Sequence, residues 1–171
     1  MHLDDYARPL SEKNAFKIAP YGIFQKSPTP EKYGLLAGVL TYRYFLPARK
    51  QFWWFGTTSH LENYACLLAG ASAVFGRREY LDLAFRQLEW VMGANPFGAC
   101  LMTGEGMNNS YPHSRSVGLI PGGIMNGIAG NPEDEPVLDM EHGFDWRTTE
   151  YWAPHNSWYL RAVSETEKRA V

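Results

Sequence analysis

Residues 59–93, SHLENYACLLAGASAVFGRREYLDLAFRQLEWVMG, decide the fold. Ser59-His60-Leu61-Glu62 has the pattern of a capping box, in which a hydroxyl and a carboxylate satisfy orphan N–H groups at a helix start. Behind it Leu61, Ala65, Leu68 and Phe75 fall on one helical face. Gly76 supplies the stop. A second helix follows at once, with Leu81, Ala84, Phe85, Leu88, Val91 and Met92 at three- and four-residue spacing, and Gly93 ends it. Two helices on so short a link pack antiparallel, so the stretch predicts a helical hairpin.

A third helix closes the chain. Pro154 suits a first turn, where a missing N–H costs nothing, and Trp158, Tyr159, Ala162 and Val163 form the apolar face. Glu165 to Arg169 reads as a charged, frayed end. Residues 14–56, broken by Pro20, Pro28, Pro30 and Pro47, read as extended loop with one short helix. Residues 94–149 hold nine of the sixteen glycines and five of the eleven prolines and show no sustained period, so they too read as loop. So long a connection is usually functional or disordered. Phe97, Tyr111, Phe144 and Trp146 offer apolar anchors, which favours an ordered, function-bearing loop. One hairpin and one helix are too few faces to cover each other. The chain is expected to be part of something larger, with self-association or a missing segment covering the hairpin; a small irregular α domain is the alternative.

Composition narrows the function. A chain of 171 residues is one ordinary domain, and a net charge of −2 without a Lys/Arg stripe argues against a nucleic-acid partner. No apolar run approaches a membrane span. Ten Tyr, nine Phe and six Trp can pack a core, and their flat faces also suit sugar rings. Cys66 and Cys100 have neither disulfide-framework nor metal spacing, and Cys66 reads as a buried thiol. No compact oxygen-ligand loop suggests a metal, and no cofactor is expected. Met1-His2-Leu3-Asp4-Asp5 has the character of neither a signal nor a transit peptide, which points to the cytosol if it is the true N-terminus.

The chemistry lies in the long loop and beyond it. Gly93-Ala94-Asn95-Pro96-Phe97-Gly98 leads into Thr103-Gly104-Glu105-Gly106 and then Tyr111-Pro112-His113-Ser114-Arg115. Upstream stands Phe52-Trp53-Trp54-Phe55-Gly56, followed by Leu61, Asn63, Tyr64 and Ala65; downstream is Thr149-Glu150-Tyr151-Trp152-Ala153-Pro154-His155-Asn156. In order and spacing this series resembles glycoside hydrolase family 9, the cellulase and endoglucanase family. Its members carry a Leu-Gly-x-Asn-Pro turn, a Thr-Gly-x-Gly element, a Pro-His-His-Arg signature and a terminal Asn-Glu motif. The resemblance covers most of residues 14–163. It departs at Ser114, Thr58 and Thr149, where the family has His, Asn and Asn.

The resemblance implies an all-α fold, with residues 1–171 the C-terminal portion of a six-hairpin (α/α)6 barrel. It implies inverting hydrolysis of β-1,4-linked glucan, a carbohydrate partner and no membrane, and a secreted or periplasmic setting. Glu150 is then the catalytic acid, and His113 and Arg115 are substrate ligands. Tyr111 and Trp54, with Trp53, are candidate stacking platforms, and core packing is the alternative for each. Such an acid must stay protonated near neutral pH, and Trp146, Tyr151 and Trp152 are near enough in sequence to desolvate it. The plainer reading is a solvated Glu at the N-terminal end of the next helix. The family's base, from an Asp-Ala-Gly-Asp stretch, has no counterpart here: Asp4-Asp5, Asp134-Glu135 and Asp139 stand in the wrong context. The chain alone is therefore expected to be almost inactive. Alternatives are a non-catalytic carbohydrate-binding or interaction fragment, and a barrel glycosidase acting on amino sugars or short oligosaccharides.

Overall fold

The computed structural model describes residues 2–25, 34–45, 56–113 and 118–170. A wide turn at Leu3–Ala7 runs into helix α1 (Arg8–Lys13). Strands β1 (Gly22–Gln25), β2 (Gly34–Ala37) and β3 (Leu40–Arg43) follow, then the hairpin helices α2 (Thr58–Phe75) and α3 (Arg78–Val91). The long loop contains a two-stranded ladder, β4 (Ala129–Gly130) with β5 (Pro136–Val137), and a single turn, α4 (Trp146–Thr149). Helix α5 (Ala153–Ala170) ends the chain.

The hairpin forms as its apolar spacing predicts. Ala65, Leu68 and Ala69 of α2 share one buried core with Tyr80, Leu81, Ala84 and Leu88 of α3, while Leu61 joins Trp90 and Val91 in a second. Gly76 turns the chain in the left-handed conformation, φ 65, and its N–H returns to the Ser72 carbonyl at 2.9 Å. The ends of the predicted faces differ: Phe75 and Met92 are exposed, as are Leu67 and Val74. Helix α5 packs mainly on α2 through Ala162 and Thr166. Thr166 can sit there because its hydroxyl bonds back to the Ala162 carbonyl at 2.9 Å. Its last turn is helical rather than frayed, since Glu165 pairs with Arg169 at 2.6 Å and Lys168 at 3.5 Å.

Ser59 and Glu62 do not form a capping box. The helix starts two residues earlier than that box implies, at Thr58, with no side-chain cap from Thr57. The Ser59 hydroxyl bonds the ring of His155, and Glu62 is fully buried. Neither Glu62 oxygen has a hydrogen-bond partner among the described residues. Burial pushes this carboxyl up to about 9, so it is a neutral acid in the fold.

The chain is not purely helical. The segment read as extended loop contains an antiparallel sheet in the order β1-β3-β2. Gly22 pairs with Arg43 and Gly34 with Tyr42. Gly34 is required there, because a Cβ would stand 2.3 Å from the Tyr42 ring. Leu3, Tyr6, Ala7 and Leu10 of the N-terminal turn and α1 join the hairpin core, an element the sequence did not announce. A second core lies under the long loop, built from Ile18, Phe45, Leu61, Trp90, Val91, Leu101, Ile124 and Ile128. Arg43 is buried and ties the sheet to the loop, reaching Asp134 at 3.2 Å and the Asn131 carbonyl. Both cysteines are free, Cys100 buried and Cys66 half-buried.

Candidate functional site

The loop is ordered by hydrogen-bonded amides and a carboxylate more than by its aromatics. Asn95 takes four hydrogen bonds at the end of α3: its Nδ2 donates to the Trp90 and Ala99 carbonyls, and its Oδ1 accepts from the Phe97 and Ala99 N–H groups. Asn109 likewise donates to the carbonyls of Cys100, Met102 and Glu105. Asp139 accepts the N–H groups of Glu141, His142, Phe144 and Asp145. Burial pushes the Asp139 carboxyl up, but those four donors outweigh it and hold it at about 2. Of the expected anchors Phe97 is partly buried, but Tyr111 is 52% exposed and Phe144 62%.

These turns bring distant segments side by side. The Met125 N–H bonds the Leu101 carbonyl at 3.0 Å, and the Thr103 N–H bonds Gly123 at 2.9 Å. On the other side, the Asn126 N–H bonds the Glu150 carbonyl at 2.9 Å and the Gly127 N–H bonds Thr148 at 2.7 Å. The His113 N–H bonds the Thr149 carbonyl at 3.0 Å. Residues 148–150 therefore lie between the 126–127 segment and His113. Asn156, from the downstream motif, accepts the Ile124 N–H at 3.1 Å and donates to the Gly122 carbonyl at 2.6 Å, fastening that segment to α5.

Glu150 ends α4, whose start is capped by Asp145 accepting the Arg147 N–H. It stands three residues ahead of the first residue of α5, so it is not in that helix's first turn. Its side chain is half-buried, and the Trp152 indole N–H donates to its Oε2 at 2.7 Å. Trp152 thus meets the carboxyl through its polar edge rather than as an apolar wall. Tyr151 is committed elsewhere, its hydroxyl donating to Thr103 Oγ1 at 2.7 Å.

The His113 ring is fixed by Nδ1, which donates to the Gly143 carbonyl at 2.7 Å. A carbonyl only accepts, so the proton sits on Nδ1 and Nε2 is the acceptor of the neutral ring. Gly143, φ 63, lies against the Tyr111 and Pro112 carbonyls, where a Cβ would stand 2.6 Å from the Pro112 oxygen. The next residue, Phe144, has the His142 ring stacked on it at 5.6 Å. Exposed Tyr111, Phe144 and Trp152 come from the same segments that hold His113 and Glu150. The backbone thus sets His113 against Thr149, the residue before Glu150, with Tyr111 two positions ahead of His113. Arg115, Trp53 and Trp54 lie outside the described residues.

Sequence reasoning missed Asn126 and His155. Asn126 is fully buried and uses every polar group it has. Besides its N–H, its carbonyl accepts from the Thr58 N–H at 3.4 Å, its Nδ2 donates to the Trp146 carbonyl at 2.8 Å, and its Oδ1 meets His155 Nε2 at 2.8 Å. His155 is equally buried, and that burial holds its pKa down at about 4. Its place inside the quoted downstream motif was the one signal available.

No family model and no curated protein matches the sequence. Solved structures do. The cellulase Cel9M of C. cellulolyticium, solved in complex with cellobiose, is 18% identical with a TM-score of 0.55, over 67% of this chain and 29% of that one. The catalytic domain of Clostridium thermocellum CelT is 17% identical with a TM-score of 0.53, over 65% of this chain and 25% of that one. The chain thus spans less than a third of either structure. Over about two thirds of its length it has a cellulase-like fold.

Proposed function

We propose that this chain is the C-terminal part of a glycoside hydrolase of the family 9 type, forming part of an (α/α)6 barrel and supplying its general acid and one wall of its cleft. The observation that carries this reading is the convergence on Glu150. The Thr149 and Glu150 carbonyls accept from His113 and Asn126, and exposed Tyr111, Phe144 and Trp152 stand on the same segments. Exposed aromatic faces on the segments flanking a carboxyl with one oriented oxygen suit a sugar chain better than a charged or apolar ligand. Cel9M was solved with cellobiose, which agrees with a β-1,4-glucan as substrate.

In this reading Trp152 occupies Oε2 of Glu150, so the acid's proton rides on Oε1. That proton passes to the glycosidic oxygen as its bond to the anomeric carbon breaks. Water adds to the anomeric carbon from the opposite face and gives its proton to a carboxylate contributed by another part of the barrel. His113 and Arg115 hydrogen-bond sugar hydroxyls, while Tyr111 and Trp54 offer stacking faces.

The test compares Glu150→Gln with wild type in the complete protein containing this segment, on cello-oligosaccharides and on an aryl β-glycoside with a good leaving group. General acid catalysis contributes about 10²–10⁴-fold, and it matters less when the leaving group departs unaided. A deep loss on cello-oligosaccharides with much activity kept on the aryl glycoside is expected. Equal tolerance of both substrates removes Glu150 from the mechanism. Binding of cello-oligosaccharides without turnover by wild type favours the non-catalytic reading.

A further inference from the structure

Helix α5 also reaches the site through its first turn. His155 lies in its first turn, fully buried, between Ser59 at the start of α2 and Asn126 in the loop. Chemistry fixes the direction of every hydrogen bond in this chain. The Trp146 carbonyl can only accept, so the Asn126 group facing it is Nδ2 and the group facing His155 is Oδ1. Oδ1 can only accept, so His155 carries its proton on Nε2. Nδ1 is then the acceptor, and the Ser59 hydroxyl donates to it.

We propose that His155 is a positioning residue for Glu150, acting through Asn126. Asn126 holds both ends of α4: its Nδ2 grips the carbonyl of Trp146, the first residue, and its N–H grips that of Glu150, just past the last. A helix of one turn cannot hold its own geometry, because nucleation is unfavourable at that length. The direction in which Glu150 leaves α4 is therefore imposed from outside, and a turned Asn126 amide would release Trp146. His155 adds to the Trp146 carbonyl in resisting that turn, since a turned amide would set Nδ2 against Nε2–H and force the ring to move its proton to Nδ1, with the Ser59 hydroxyl reversed to accept it. Ser59 sets the ring from the far side, so α2 and α5 jointly aim the carboxyl.

This inference rests on the general-acid role proposed for Glu150, and the experiment separates the two. In the complete protein, His155→Leu keeps the bulk and removes both ring nitrogens, whereas His155→Gln can still donate to Asn126 and accept from Ser59. The expected result for His155→Leu is a fall in kcat of up to about 10²-fold on cello-oligosaccharides, as for a misplaced catalytic group, with KM unchanged and the aryl glycoside largely spared. His155→Gln restores most of kcat. Equal loss on both substrates, no loss, or no rescue by Gln overturns the proposal. Should His155→Leu fail to fold, long-range nitrogen–proton NMR on the wild-type chain decides: an Nε2–H ring is expected, and an Nδ1–H ring overturns the assignment. If Glu150→Gln is silent while the ring is Nε2–H, the function reading has failed and the hydrogen-bond geometry has not.

Discussion

Replacing Glu62 by Gln should make the protein more stable at neutral pH and leave it unchanged in mild acid. The carboxyl is fully buried with both oxygens unpartnered among the described residues, and burial raises it from 4.5 to about 9. Between those values the folded chain keeps the proton and the unfolded chain loses it. Stability from the neutral acid is thus complete below pH 4.5 and drains away at about 1.4 kcal/mol per unit towards pH 9. By pH 7 the loss is about 3 kcal/mol, from 2.5 units above 4.5. Gln has nearly the same volume and cannot ionise, so the variant escapes that loss. His155 acts in the opposite sense: its pKa falls from 6.5 to about 4, so its contribution is present above pH 6.5 and is lost as pH drops through 4. Between about pH 4.5 and 6.5 the Glu62 and His155 slopes oppose each other, and His60, also lowered by burial, adds to the histidine side, so the difference between wild type and Glu62→Gln isolates Glu62. Urea midpoints at pH 4.5, 5.5, 7 and 8 read this directly, provided the m-value is unchanged. Wild-type and Glu62→Gln curves running parallel across that range would show that Glu62 ionises freely in the fold, and the reasoning fails.

Two further substitutions probe what holds the loop to the rest. Arg43→Met strands Asp134 beside the sheet and should cost about 3 kcal/mol, the low end for a broken buried pair, because the Tyr44 and Phe45 N–H groups still reach that carboxylate. Adding Asp134→Asn, which tolerates the left-handed backbone there (φ 62), should recover part of the loss. A urea shift worth under about 1 kcal/mol would sink the tether. Gly127→Ala places a methyl 2.2 Å from Thr58 Oγ1 on a backbone at φ 80, and should cost about 2 kcal/mol or more. An unchanged melting temperature for that variant would contradict the contact.

The helices were legible because their information is local. Leu81, Ala84, Leu88 and Val91 repeat with the helical period, and Gly76 marks the turn without help from distant residues. Glu62 was misread for an instructive reason. A capping motif fits four residues, yet Glu62, Ala65 and Ala69 share a three- and four-residue spacing that puts the acid on the buried face. The sheet escaped notice because its strands are four residues long and pair around a glycine under Tyr42. At the site, the order of motifs pointed to His113 and Glu150, and the His113 backbone bonds Thr149, the residue before Glu150. Asn126 and His155 meet across 29 residues through polar side chains, and no periodicity records such a contact.

The bond between Arg43 and Asp134 joins residues 91 positions apart. At roughly 5–20 residues per second of synthesis, Arg43 waits roughly 5–18 s on the ribosome before its partner exists. Throughout that interval the sheet has neither Asp134 for its guanidinium nor Ile124 and Ile128 to cover Phe45. A three-stranded sheet of this size is marginal unless it packs on something. Arrested nascent chains should therefore leave strands β1 to β3 open to protease until Asp134 has emerged; earlier protection would refute this order. Strands β1 to β3 are thus made well before the loop that secures them, and translation through residues 124–134 sets how long they stay uncovered.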